Sequence, residues 1–317
     1  MSWHSLPAEL RSEIVSHLEL PQLDSGSHLP SQEFREKRAA LRNLCLACHS
    51  TAAEARPRLY RTIIVDSGSV EMAHLLRTLA YSPSLRRLTR HLSSPNYHCK
   101  HFHAFCELAT NLRRLSSGAG RIDCSDSSAY THSEATLDAA LRLHADTLEE
   151  LHLAGFGRHF YTHIGAANRL ACLPTMTSLR RLSIDIFMLF GPSEQIRHLS
   201  LRDLLTPNLE QLDLCDTWNT AYADFGDSLL PHPERYLDVL IRQFQHLAEA
   251  VRPPEEKKQQ QDQELQGLLS LRSVHLRSEP KCTRYWLMES QLLQIEQMLD
   301  RVGVVFTHAP PPSDGED

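Results

Sequence analysis

One pattern, Leu-x-x-Leu-x-Leu, returns along the chain and limits what it can fold into. With Ile or Val allowed at a Leu position, clear copies are Leu148-Glu149-Glu150-Leu151-His152-Leu153, Leu179 to Ile184, Leu209 to Leu214, and Leu271-Arg272-Ser273-Val274-His275-Leu276. Weaker copies begin at Leu85 and Leu112. First leucines are spaced 27, 36, 31, 30 and 62 residues apart, the last interval reading as one degenerate or replaced copy. Composition agrees: 51 Leu stand against 10 Ile and 9 Val. Buried parallel sheets of doubly wound proteins read as Val/Ile runs, so the excess argues for helices or leucine-patterned repeats. Twelve glycines in 317 residues leave little for phosphate-cradling loops.

Apolar stripes lie between copies, as at Leu137 to His144 and, from about Glu234 to Ala250, at Leu237, Leu240, Ile241, Phe244 and Leu247. Strand, loop and helix therefore alternate. A unit of this size cannot bury its apolar face alone, and stacking joins the leucines into one core. The pattern resembles divergent leucine-rich repeats. Its periods mostly exceed the usual range, and the ladder position after each motif holds Phe156, Phe187, Thr217 and Glu279. An irregular array without an asparagine ladder is expected. Side chains alternate across a strand, so inward leucines expose Glu150 and His152, Arg181 and Ser183, Gln211 and Asp213, Ser273 and His275. These mixed-sign rows form a candidate target-binding surface for a protein or peptide.

The amino terminus reads as two amphipathic helices. Leu10, Ile14 and Leu18 mark one over Pro7 to Leu18; Leu41, Leu44, Cys45, Cys48 and Ala52 mark another over residues 33 to 55, ended by Pro57. Leu6-Pro7-Ala8-Glu9-Leu10 followed by Ile14-Val15 and Leu18 resembles the opening of an F-box. Leu41-Arg42-Asn43-Leu44-Cys45-Leu46-Ala47-Cys48 with Ala55-Arg56-Pro57-Arg58-Leu59-Tyr60-Arg61 looks like its closing half, in the manner of fungal F-box proteins. Residues 21 to 38 look like an insertion, and His49-Ser50-Thr51 replaces the usual basic and aromatic residues.

The resemblance implies an α/β chain with an F-box-like helical module at 1–62 and a divergent repeat array at 63–308; within it the charged, low-complexity run at about 253–264 reads as a flexible loop, and 309–317 reads as a disordered acidic tail. It also implies a non-enzymatic substrate receptor of an SCF (cullin–RING) ubiquitin ligase. Leu6, Pro7, Leu10, Ile14, Leu18, Leu41 and Leu44 would dock on a Skp-family adaptor, and through it on a cullin. The alternative is a repeat scaffold whose degenerate F-box has no ligase role.

Other chemistries find less support. Net charge is −6 with both signs interspersed, so neither a basic face nor a nucleic-acid partner is expected. No apolar run is long enough to span a bilayer, and eight scattered Cys without a secretion signal read as reduced thiols in the cytoplasm or nucleus. Cys45-Leu46-Ala47-Cys48-His49 has haem-attachment spacing, yet both thiols fall on the apolar stripe of the second helix. His98, Cys99, His101, His103 and Cys106 gather soft ligands without the second separated pair that structural zinc favours. No metal or other cofactor is expected. No nucleophile elbow, Walker loop or zincin motif occurs, and Cys282 has no motif around it. His152, Ser183 and Asp213 make a triad only on paper, so no catalytic residue is assigned.

Overall fold

The computed structural model describes residues 3–21, 31–65, 70–94, 100–118, 134–154, 170–190, 199–216, 233–251, 270–278 and 289–309. The expected loop at 253–264 and all but the first residue of the 309–317 tail lie outside them, as do His98, Cys99, Phe156, Thr217, Glu279, Cys282 and residues 22–30 of the expected insertion. The chain is mixed α/β and forms two compact units, 1–118 and 119–317.

The first unit opens with α1 (Ala8–Ser16), α2 (Gln32–Ala47) and α3 (His49–Leu59). Pro7 takes an extended conformation at the start of α1, where its missing N–H costs nothing, and Glu9 lies in the first turn. Ser31 caps α2, its Oγ accepting the Phe34 N–H at 3.1 Å. The single helix expected over 33–55 is broken. Cys48 is extended (φ −164°), and Thr51 bridges the break by accepting the Cys48 N–H at 3.3 Å and lying 2.6 Å from the Leu44 carbonyl oxygen. Pro57 sits inside α3 instead of ending it, since the helix runs only two residues further. Val15, Leu41 and Ala55, one from each helix, form the core of the module, with Leu18, Leu44, Cys45 and Leu59 packed around them.

Three parallel strands follow in chain order, β1 (Thr62–Ile64), β2 (His91–Ser94) and β3 (Arg114–Gly118), joined by helices that include Val70–Tyr81 and Lys100–Leu108. Ile63, Leu92 and Leu115 are in register and buried. The weak copy at Leu85 is out of frame. Leu85 lies in the short helix Pro83–Arg86 and Leu88 in the turn after it, and the residues that align with Leu112 and Leu115 are Thr89 and Leu92.

The second unit carries β4 (Glu150–Ala154), β5 (Arg181–Asp185), β6 (Gln211–Asp216), β7 (Ser273–Ser278) and β8 (Val305–Ala309), again parallel and in chain order. No order reversal of the doubly wound kind interrupts either set. Leu151, Leu182, Leu212, Val274 and Phe306 form one buried row, and Leu153, Ile184, Leu214 and Leu276 the next. Across the interval of 62 residues no strand stands between β6 and β7 in the sheet. β6 pairs directly with β7, and the added length holds the helix Pro233–Val251, whose buried Leu240, Phe244 and Leu247 make up its apolar stripe. Helix Glu289–Asp300 and then β8 follow β7.

A partial polar ladder is present, not after the motif but at the residue before its first leucine. The residue before the first leucine reaches back to the preceding turn in three copies: Ser178 Oγ donates to the Asp146 carbonyl at 2.7 Å, Asn208 Nδ2 to that of Thr177 at 2.6 Å, and Asn111 Nδ2 to that of Arg87 at 3.5 Å. These bonds occupy turn carbonyls that strand pairing leaves over.

Candidate binding faces

In the helical module the docking residues read from sequence divide into two groups. Leu41 is wholly buried and Leu18 and Leu44 pack against the core, so these three hold the module together. Leu6 is half-buried and Pro7 exposed. Leu10 and Ile14, one turn apart on α1, keep 46% and 43% of their surface exposed, and Leu46 on α2 keeps 75%. Arg11 and Glu54 at 3.4 Å tie α1 to α3 beside this apolar face.

In the second unit, strand register brings the eight expected target residues into two rows. Glu150, Arg181, Gln211 and Ser273 are aligned neighbours, and so are His152, Ser183, Asp213 and His275, with Thr307 extending the second row. Two of the eight are not available to a partner. Ser183 is 1% exposed and His152 is buried. Arg277, two residues beyond His275 on the same face, explains the first: its Nη2 donates to Ser183 Oγ at 2.8 Å and lies 3.9 Å from Asp213 Oδ2. Glu150 holds Arg181 at 3.0 Å and lies 3.7 Å from His152 Nε2. His275 Nδ1 and Thr307 Oγ1 share a hydrogen bond of 2.6 Å.

A third row, Asp185, Cys215 and Arg277, escaped the motif because Leu-x-x-Leu-x-Leu ends before it; carrying the strand alternation two residues further finds it. Asp185 and Cys215 in this row are buried.

The row order also bears on hydrolysis. In a Ser-His-Asp triad the imidazole stands between the other two groups. Here Ser183 stands between His152 and Asp213, on strands about 4.8 Å apart, which separates the histidine and aspartate backbones by roughly 10 Å. Asp213 is thus poorly placed to orient the ring, and the Ser183 hydroxyl accepts from a guanidinium.

Five described cysteines are free thiols. Burial pushes the Cys106 and Cys172 thiols strongly up, Asp138 adding to the effect at Cys172. Cys45 is raised by partial burial, against the nearby Arg56. Cys48 alone is lowered, to about 6, by hydrogen bonds from the Ser50 and Thr51 hydroxyls, each 3.4 Å from its sulfur. Cys48 therefore lies at a helix junction, not on the apolar stripe of one long helix. Among the described residues no group of three or more His, Cys, Asp or Glu could hold a metal ion, and no helix is long and apolar enough to cross a membrane. Of the His98–Cys106 cluster, the described side chain is Cys106, which is buried.

Scans of protein-family models, curated proteins and solved structures find no match to the chain.

Proposed function

We propose that the chain is a substrate receptor of an SCF-type ubiquitin ligase. The F-box-like helices dock on a Skp-family adaptor, and through it on a cullin, while a leucine-rich-repeat array holds a target protein. One observation carries the reading. The module already has a closed core of its own, yet Leu10 and Ile14 face solvent on the helix whose sequence resembles the start of an F-box. Adjacent exposed apolar residues on a small module mark a surface meant for a partner. Leu18, Leu41 and Leu44 act behind that surface as support.

Catalysis belongs to other subunits in this reading. The chain raises the local concentration of its target near the loaded conjugating enzyme, in the cytoplasm or nucleus. Target contact falls to the accessible part of the rows, Glu150, Arg181, Gln211, Asp213, Ser273 and His275, whose mixed charges suit a protein surface. The repeat reading is supported by parallel strands in chain order, buried leucine rows and the turn ladder.

The alternative, a scaffold with a degenerate F-box, draws on the same core, since three of the seven docking residues are spent inside the module. An adaptor pull-down separates the two. Leu10→Asp/Ile14→Asp alters exposed positions and leaves Val15, Leu41 and Ala55 in place, so loss of adaptor recovery with unchanged melting supports docking. Equal recovery by wild type and variant rejects it. For the target surface, Arg181→Ala/Asp213→Ala should weaken capture of proteins that co-purify with the wild type, and unchanged capture removes these rows from the proposal.

A further inference from the structure

β8 is the last strand of the second unit and pairs on one side, with β7. In a parallel ladder each residue turns its N–H and C=O to the same side, and successive residues face opposite neighbours. The Val305 N–H donates to the Arg272 carbonyl at 2.9 Å, which sets the frame. Val305, Thr307 and Ala309 therefore bond to β7, whereas Phe306 and His308 turn their backbone groups to the outer edge. Phe306 keeps its ring in the core, edge-on to Phe244, while its N–H and C=O lie along that edge. Among the described residues, none of these outward backbone groups has a hydrogen-bond partner.

The edge also lacks the features that keep strands apart. β8 reads Val-Phe-Thr-His-Ala, without a fixed charge or a proline, and its register with β7 is unbroken by a bulge. Val305 is 62% exposed, and Leu293, on the helix Glu289–Asp300 that packs against β8, is 51% exposed. The residues after β8 are ill suited to covering the edge themselves. Pro310, Pro311 and Pro312 favour an extended polyproline path over the tight turn that would bring Ser313 to Asp317 back along β8, and Asp and Gly are poor strand formers.

We propose that β8 pairs antiparallel with β8 of a second copy of this chain, about a two-fold axis at Thr307. The frame is self-complementary there. Phe306 faces the second copy's His308, His308 faces its Phe306, and each such pair exchanges two hydrogen bonds, so every outward N–H and C=O is answered. Neighbouring axes do worse. An axis at Phe306 sets His308 against Val304, whose N–H is already given to the Leu299 carbonyl at 3.0 Å. An axis at His308 sets Phe306 against Pro310, which has no N–H. With the axis at Thr307, Val305 meets Ala309 and Thr307 meets its own copy, so no like charges are opposed. A pair of such short strands buries less than a standard interface, which makes the dimer weak, with a Kd of about 10 to 100 μM.

The pairing is independent of the adaptor reading, because it is measured on the full chain alone. Sedimentation equilibrium across concentrations bracketing that Kd should show a monomer going over to a dimer and no further. His308→Pro removes an outward N–H without touching a bond to β7, and Thr307→Lys places like charges on the axis; each should weaken the dimer at least about tenfold. Melting curves establish that each variant is folded. Register is read by oxidation. Thr307→Cys brings two thiols together on the axis, with Cα atoms about 4.5 Å apart, and should give a covalent dimer. Val305→Cys leaves its two thiols four residues apart along the pair, roughly 14 Å, and should give no more than the wild type, whose native cysteines serve as the control. A chain that stays monomeric overturns the proposal, as does a dimer that both folded variants leave unchanged. Equal crosslinking at Val305→Cys and Thr307→Cys rejects the axis, and mass growing beyond the dimer shows head-to-tail stacking instead.

Discussion

Cys48 shows what a single residue's surroundings add to its spacing. The C-x-x-C-H run was legible in the sequence. Periodicity alone could not show that the helix stops there, because Cys45 and Cys48 continue the apolar spacing without interruption. The stop lies in Ser50 and Thr51, whose hydroxyls compete with the helix backbone for hydrogen bonds and so favour a cap. Those same hydroxyls bring the Cys48 thiol to about 6 from an ordinary value of 9.0. The fold therefore favours the thiolate. Its stabilising contribution is complete above about pH 9 and is lost as pH falls through about 6. Alkylation follows the thiolate, so Cys48 should react with iodoacetamide along a curve with its midpoint near pH 6. Cys106 and Cys172, buried and raised, should be labelled only after unfolding. Mass-spectrometric labelling against pH reads all three sites at once, and a Cys48 midpoint near that of a free thiol would refute the assigned environment.

At the level of elements, strands marked by leucine were found in the right frame, and strands marked by other residues were not. β4 to β7 and the rows they present follow directly from alternation. β1 has Tyr60 and β2 has Thr89 at the motif's first position, and β8 puts Phe306 where the motif asks for leucine, so a pattern search passes over them. Alternation also places a side chain on a face without saying what lies over it. Alternation therefore predicts an exposed Ser183, whereas Arg277 covers it. Helix Pro233–Val251 shows a similar gap. Its stripe was legible, but its buried Gln243 was not read as structural. Gln243 Nε2 donates to the Leu199 carbonyl at 2.7 Å and its Oε1 accepts the Leu201 N–H at 2.9 Å, pinning the helix to the segment before β6. Gln243→Leu keeps the volume and strands both backbone groups. It should cost about 2 kcal/mol in urea unfolding with an unaltered slope, whereas a change within about 0.5 kcal/mol would mean that the two bonds hold nothing in place.

Across the second unit as a whole, order in sequence is order in space, and stability should therefore travel only between neighbours. Leu182 and Leu212 are register partners on adjacent strands, both buried in one row. Leu151 and Val274 share that row but stand three strands apart, roughly 14 Å at the usual strand spacing. Truncating a buried leucine costs about 2 to 5 kcal/mol, and the amount depends on how far the surroundings relax into the cavity. The cavities left by Leu182→Ala and Leu212→Ala touch, so the wall that closes one is the wall the other has removed. Their combined effect should depart from the sum of the single effects by about 0.5 to 3 kcal/mol. Leu151→Ala and Val274→Ala have no shared wall and should add to within about 0.5 kcal/mol. Two double-mutant cycles measured by denaturant unfolding test this. Equal coupling in both pairs would show a core that relaxes as one body, and the nearest-neighbour stacking that underlies the repeat reading would then be wrong.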